Sequence, residues 1–255
     1  MTRTDISAIA ETGVGKAALS GGEPLRYLAR ASLAGGFIFV GALLSCLSAA
    51  WFYADYLPVA KLLGAVSFSA ALILIVLLGG ELFTGSNLVM GVSLYEGKVP
   101  VTAALRVWAL CYIGNFIGIF VLCLLLVGSG AVKDLLSSYL ALTVPGKLAS
   151  PWYALFLKGV LCNFLVCVGT FSGFRLKSEA GKVIAITLAI TTFVLAGFEH
   201  SVANMAYFGL YALYFGPSLL PAMGWSMLWV TLGNLLGGAV LLGLPLWCAA
   251  ERRRD

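Results

Sequence analysis

With 255 residues, of which 61% are hydrophobic and 11% charged, the chain lies outside the range of a soluble domain, which is about 45–50% apolar and about 25% charged. Its mean hydropathy of +1.00 indicates a polytopic membrane protein. The net charge of +5 sits beside apolar stretches rather than on one basic face, so nucleic-acid binding does not explain it.

The chain opens Met1-Thr-Arg-Thr-Asp-Ile, without the n-region and h-region order of a cleaved secretory signal. Residues 1–27 form a lead-in in which Ile6, Ile9, Ala10, Val14, Ala17, Ala18 and Leu25 fall on one side of a short helix. That pattern fits either an amphipathic helix along the membrane face or a solvated lead-in. Uncharged stretches then follow at Ala31–Ala54, Leu62–Gly80 continuing as Leu82–Tyr95, Val107–Val132, Gly159–Phe174, Val183–Phe198 with its continuation, and Gly224–Ala250. At roughly 20 residues per spanning helix, this predicts an all-α fold of six spans in a single transmembrane domain over 1–255, closed by a basic tail at 251–255. If both termini are cytoplasmic, twelve basic residues lie inside, against Lys61, Lys133 and Lys147 outside. Lys158 falls just inside the fourth span, where it either snorkels to the interface or puts positive potential over an anion entrance.

Cys46, Cys111, Cys123, Cys162, Cys167 and Cys248 form no CxxC pair, and all but the last lie well inside apolar spans. They read as small buried hydrophobes, neither disulfides nor metal ligands. No cofactor is expected.

Two spans are interrupted by ionisable residues. Glu81 lies in Leu78-Gly-Gly-Glu-Leu-Phe-Thr-Gly-Ser-Asn87, and Glu199 lies beside His200, the sole histidine. Such groups at bilayer depth cost at least ~2.5 kcal/mol each and point to function. The third span carries Gly114-Asn115-Phe-Ile-Gly118 and the sixth Gly233-Asn234-Leu-Leu-Gly237, 119 residues later. The same offset carries Gly80-Glu81 onto Glu199-His200, within one residue of the other acidic break. Three spans per half is an odd number, so the halves are inverted, and matched breaks point to a midplane binding site.

A break leaves backbone groups without helical partners. Glu81 and Glu199 are placed to accept the orphan N–H groups and so anchor the loops. Direct substrate contact suits them less, because a carboxylate lining repels anions. Thr84, Ser86, Asn87 and Ser201 have similar reach. His200 can donate a hydrogen bond or exchange a proton near neutral pH, and both roles stay open. Phe68, Leu72, Leu82, Phe83 and Phe193 are either core or, if the breaks line a pore, its apolar constrictions.

Gly80-Glu-Leu-Phe-Thr-Gly, Lys158-Gly-x-x-Cys-Asn-x-x-Val-Cys167, Gly197-Phe-Glu-His-Ser-Val-Ala-Asn-Met205 and Trp229-Val-Thr-Leu-Gly-Asn234 together resemble the formate–nitrite transporter family over essentially the whole chain. The resemblance implies an aquaporin-like protomer with second and fifth helices broken, assembled as a homopentamer in the inner (plasma) membrane, with one pore per protomer. It implies small monovalent anions (formate, nitrite or hydrosulfide) as substrates, with proton coupling in some members. By motif position it makes Thr84 the loop threonine, His200 the central histidine and Asn204 its polar partner. Asn163 would reach the histidine, and Lys158 would give the outer vestibule its field. Leu72, Leu82 and Phe193 would constrict the centre, and Phe68 and Phe83 the cytoplasmic side.

A neutral-solute channel of the aquaporin type is the nearest alternative, but the chain has no Asn-Pro-Ala box. A membrane enzyme fits less well: one histidine, no HExxH and no paired aspartates supply neither a metal site nor a dyad.

Overall fold

The computed structural model describes residues 2–250, all of its regular structure helical, and the basic tail at 251–255 lies outside the described residues. The order is α1 (Arg3–Gly22), α2 (Pro24–Ala50), α3 (Leu57–Phe68), α4 (Ala70–Leu78), α5 (Phe83–Tyr95), α6 (Val101–Ser129), α7 (Lys133–Leu148), α8 (Trp152–Arg175), α9 (Glu179–Leu195), α10 (Ser201–Phe215), α11 (Leu220–Leu235) and α12 (Gly243–Cys248). A π-helical turn, Leu236–Leu242, joins the last two.

Five runs are long and apolar enough to cross a bilayer: Pro24–Ala50, Leu57–Leu78, Val101–Ser129, Trp152–Arg175 and Pro217–Cys248. The remaining span is split into α9, of 17 residues, and α10, of 15, each short of the roughly 20 that a full crossing needs. The second span is split likewise, between α4 and α5. The count of six and both breaks agree with the sequence.

Both breaks open on a glycine with positive φ, Gly79 at 87° and Gly197 at 69°, a conformation that a Cβ disfavours. The glycine motifs hold the long crossings together. α2 packs along α6 and α8 along α11. A Cβ on Gly118 would collide with the Ser32 carbonyl, and one on Gly237 with the Val160 carbonyl. Close backbone approach of this kind is how helices associate where lipid supplies no hydrophobic drive.

Two elements differ from expectation. α1 docks on the protein: Ile6, Ile9 and Ala10 are buried beside Leu88, Val89 and Val92 of α5. Its start is closed by a capping box between Thr2 and Asp5. Leu25, expected on the same face, starts α2 instead and is 81% exposed, and Ala18 is exposed too. The second difference is α7, between the third and fourth spans. It buries Leu136, Leu140 and Val144 at helical spacing and packs against α2 and α10.

Candidate functional site

Each break is held by the asparagine of a G-N-x-x-G motif. Asn115 Oδ1 accepts from the Phe83 N–H at 2.9 Å, and its Nδ2 donates to the Ala31 and Glu81 carbonyls at 2.8 Å each. In the other half Asn234 Oδ1 accepts from the Ser201 N–H at 2.8 Å, and its Nδ2 donates to the Gly159 carbonyl at 2.8 Å and the Glu199 carbonyl at 3.0 Å. The glutamate backbones match as well: the Glu81 N–H donates to the Arg30 carbonyl at 3.2 Å, and the Glu199 N–H to the Lys158 carbonyl at 3.4 Å. The two halves are therefore inverted copies down to individual hydrogen bonds.

This corrects the anchoring role expected of the glutamate side chains. The orphan N–H groups go to the asparagines, whose amides can accept and donate at once, as a carboxylate cannot. The Glu81 carboxylate is engaged by Lys16 Nζ on one oxygen and lies 3.4 Å from Arg30 on the other. Glu199 Oε2 accepts from Lys147 Nζ at 2.8 Å and from Asn204 Nδ2 at 2.9 Å. Both carboxylates are almost fully buried, and a buried charge persists only when paired and hydrogen-bonded.

Lys16 and Lys147 were not singled out in the sequence. The usable signal was stoichiometric: two carboxylates at bilayer depth each require a cation, and Lys16 and Lys147 lie outside the spans but within reach of the breaks. What hid Lys147 was α7, which carries it over the fifth-span break.

His200 caps α10, with Nδ1 accepting the Ala203 N–H at 3.0 Å. In the neutral ring the other nitrogen then carries the proton, so Nε2–H donates to Thr84 Oγ1, 3.0 Å away. Phe193 stacks on the imidazole at 6.0 Å between ring centroids, and the edge of Phe68 packs against both rings. Asn163 does not reach the histidine directly. Its Nδ2 donates to the Thr84 carbonyl at 3.2 Å and the Asn234 carbonyl at 2.6 Å, so Thr84 stands between them.

Two cavities lead toward His200. The α7-side cavity, about 530 Å³, is lined by Lys61, Lys147, Lys158, Phe68, Phe193, His200 and Asn204 among others. Lys158 Nζ donates to Ser150 Oγ at 2.9 Å within it. The α1-side cavity, about 300 Å³, is lined by Lys16, Arg30, Glu81, Leu72, Leu82 and Thr170 among others. Among the described residues none lines both, and the partition between them consists of Leu72 and Leu82 on one side and Phe68 and Phe193 on the other. All four are 3% exposed.

Phe68 therefore lies on the side of Lys158, opposite to the expectation that pairs it with Phe83. It sits one helical turn before Leu72, and the continuous rod of α3 and α4 crosses the partition between the two. Phe83 lines neither cavity. Adjacent residues at a helix start diverge by about 100°, so with Leu82 facing the cavity the Phe83 ring turns to Tyr112 of α6, 4.9 Å away.

The pattern of the family described as Formate/nitrite transporter matches residues 3–248. The nitrite transporter NirC of Escherichia coli (strain K12) is 33% identical over 241 residues, covering 92% of this chain and 88% of that protein. A solved structure described as an FNT family ion channel superposes with a TM-score of 0.88 at 29% identity, over 97% of this chain and 99% of that one. A second, a pentameric formate channel with formate bound, superposes with a TM-score of 0.75 at 28% identity, over 88% and 96% of the two chains. These relatives are channels and transporters, not enzymes. Six-span architecture, matched inverted breaks and whole-length similarity agree: this multi-pass membrane protein belongs to the formate/nitrite transporter family.

Proposed function

We propose that the chain conducts small monovalent anions of the formate, nitrite or hydrosulfide class through the path between the two cavities. One observation carries the reading. A buried pair of hydrogen-bonding groups, Nε2–H of His200 and the Thr84 hydroxyl that accepts from it, sits in an apolar partition whose two approaches each hold more cations than carboxylates. The lysines draw an anion into the vestibule. The apolar partition rejects it in hydrated form, since stripping a charge of water without replacement costs far more than stripping a neutral molecule.

Inside the partition the low dielectric disfavours the charged form and makes the anion more basic. It displaces Thr84 Oγ1 as the acceptor of the Nε2–H hydrogen bond and takes a proton from hydronium in the vestibule water, and the neutral acid crosses. In this scheme His200 is a hydrogen-bond donor and not the proton source. A neutral imidazole that lost Nε2–H would become an imidazolate, and an imidazolium would need a proton on Nδ1, breaking the cap on Ala203. Asn204, held by Glu199, adds a polar amide to the α7-side approach. The carboxylates of Glu81 and Glu199 fix the cations and stay off the anion.

The pentameric state of the structural neighbour supports a homopentamer with one path per protomer. The excess of Lys and Arg on the α1 side supports an inner-membrane protein with both termini cytoplasmic, in contact with membrane lipid.

The test is flux in proteoliposomes. Formate, nitrite and hydrosulfide are expected to pass with uptake of protons, and glycerol is not. Glycerol permeation without anion flux would overturn the proposal in favour of a neutral-solute channel.

A further inference from the structure

We infer that Arg30 is the anion-collecting residue of the α1-side approach, the inverted-repeat counterpart of Lys158, and that its guanidinium selects planar anions carrying two oxygens. The inference rests on anion conduction as proposed above.

The pairing of Arg30 with Lys158 follows from the backbone. Each carbonyl accepts the N–H of the buried glutamate at its break, and the next residue in each case, Ala31 or Gly159, gives its carbonyl to the motif asparagine. Each residue also lines the cavity on its own side of the partition. Cations exceed carboxylates at both mouths: Lys16 and Arg30 accompany the single carboxylate Glu81, and Lys61, Lys147 and Lys158 accompany the single carboxylate Glu199.

Arg30 is the less committed cation of its pair. Lys16 engages Glu81 directly and is mostly buried, whereas Arg30 reaches the same carboxylate only at 3.4 Å and its side chain is 49% exposed. Among the described residues the guanidinium makes no hydrogen bond of good geometry, so its N–H donors are available to the cavity. A guanidinium fork donates two parallel hydrogen bonds to two oxygens of one planar ion, an arrangement an ammonium cannot copy. Formate and nitrite present that pair of oxygens, whereas hydrosulfide presents one sulfur. The two mouths therefore differ: a fork on the α1 side and point charges on the α7 side.

The experiment is initial-rate flux of formate, nitrite and hydrosulfide in vesicles of known insertion orientation, with the anion presented at either face, at low and high ionic strength. Arg30→Gln leaves the Lys16–Glu81 pair in place and changes a half-exposed side chain, so assembly should persist. Expected is a rise of about five- to tenfold in KM for formate and nitrite, and a smaller rise for hydrosulfide, at the α1-side face, fading at high salt, with KM at the other face within about twofold. Arg30→Lys is expected to restore hydrosulfide fully, and formate and nitrite only in part. A wild-type KM at the α1-side face in Arg30→Gln, or an equal loss at both faces, overturns the assignment. A wild-type KM for all three anions in Arg30→Lys overturns the two-oxygen selectivity. A wild-type protein that carries none of the anions would instead sink the proposed function.

Discussion

Leu82 and His200 occupy the same position in the two inverted halves. Each follows the buried glutamate of its break and precedes the residue whose N–H is held by a motif asparagine, Asn115 for one and Asn234 for the other. The scaffold is thus nearly symmetric across the bilayer, while its two central side chains are chemically opposite. On the proposed path, one half supplies an apolar plug and the other a hydrogen-bond donor, and the proposed function sits in that departure from symmetry.

His200→Asn is the sharpest test of the donor. Asparagine caps helices as well as any residue, so α10 should still start at Ser201, while the shorter amide cannot reach Thr84. Formate flux should fall at least about tenfold, the cost of losing one well-placed donor of ~1.4 kcal/mol or more, with oligomer yield unchanged. A well-assembled variant with wild-type flux and wild-type internal acidification would end the role assigned to the imidazole.

Leu82→Ala and Phe193→Ala should each open the partition from one side. Removing either side chain leaves a cavity at an expected cost of about 2–5 kcal/mol of stability, so yield has to be measured with transport. The acetate-to-formate flux ratio should rise in both. Unchanged ratios in both variants would show that the limiting width lies elsewhere.

Much of this arrangement was legible before any coordinates. Span count, breaks, inversion and His200 follow from hydropathy and from a 119-residue offset that is purely a matter of spacing. What stayed hidden depends on direction. Phe68 and Leu72 look alike in a helix sequence, and only the depth of the partition separates them. Phe83 and Leu82 are neighbours, and only the angle at which α5 starts decides which faces the cavity. Asn115 and Asn234 were visible as motif members, but the sequence could not show that their amides, and not the adjacent carboxylates, satisfy the break. No element was expected between the third and fourth spans, and α7 takes its position there by packing against α2 and α10.

The asparagine clamps predict a symmetric stability effect. Asn115→Ala strands the Phe83 N–H and Asn234→Ala the Ser201 N–H at bilayer depth, at about 1–3 kcal/mol per unsatisfied group. Thermal unfolding of the solubilised protein should show comparable losses, each of about 1–3 kcal/mol. A loss below about 0.5 kcal/mol in either variant, the size of a neutral surface change, would mean that its break is held by other contacts.

Lys147→Gln should destabilise the α7 side by about 3–5 kcal/mol, because Glu199 would remain buried without its cation. Adding Glu199→Gln should recover most of that loss, since a neutral amide needs no partner charge and can still bond Asn204. If the double variant is no more stable than Lys147→Gln alone, the pair is not what makes the single change costly.

Docking of α1 has its own pH signature. The Thr2 backbone N–H holds the Asp5 carboxyl below the usual carboxylate range, against a smaller opposing effect of burial, and the Thr2 hydroxyl and Arg175 add to the lowering. A depressed folded value contributes stability that is complete above the unfolded value, about 3.9, and is lost as pH falls through the still lower folded value. The Asp5 contribution to α1 should therefore be flat from about pH 5 to 8 and disappear only below about pH 4. Hydrogen exchange at the first-turn amides of α1 measures this directly. Protection at Ile6 and Ala8 that is steady above pH 5 in wild type, and lower across that whole range in Asp5→Ala, is the expected result. Protection that changes between pH 5 and 8 would assign the start of α1 to a different titrating group.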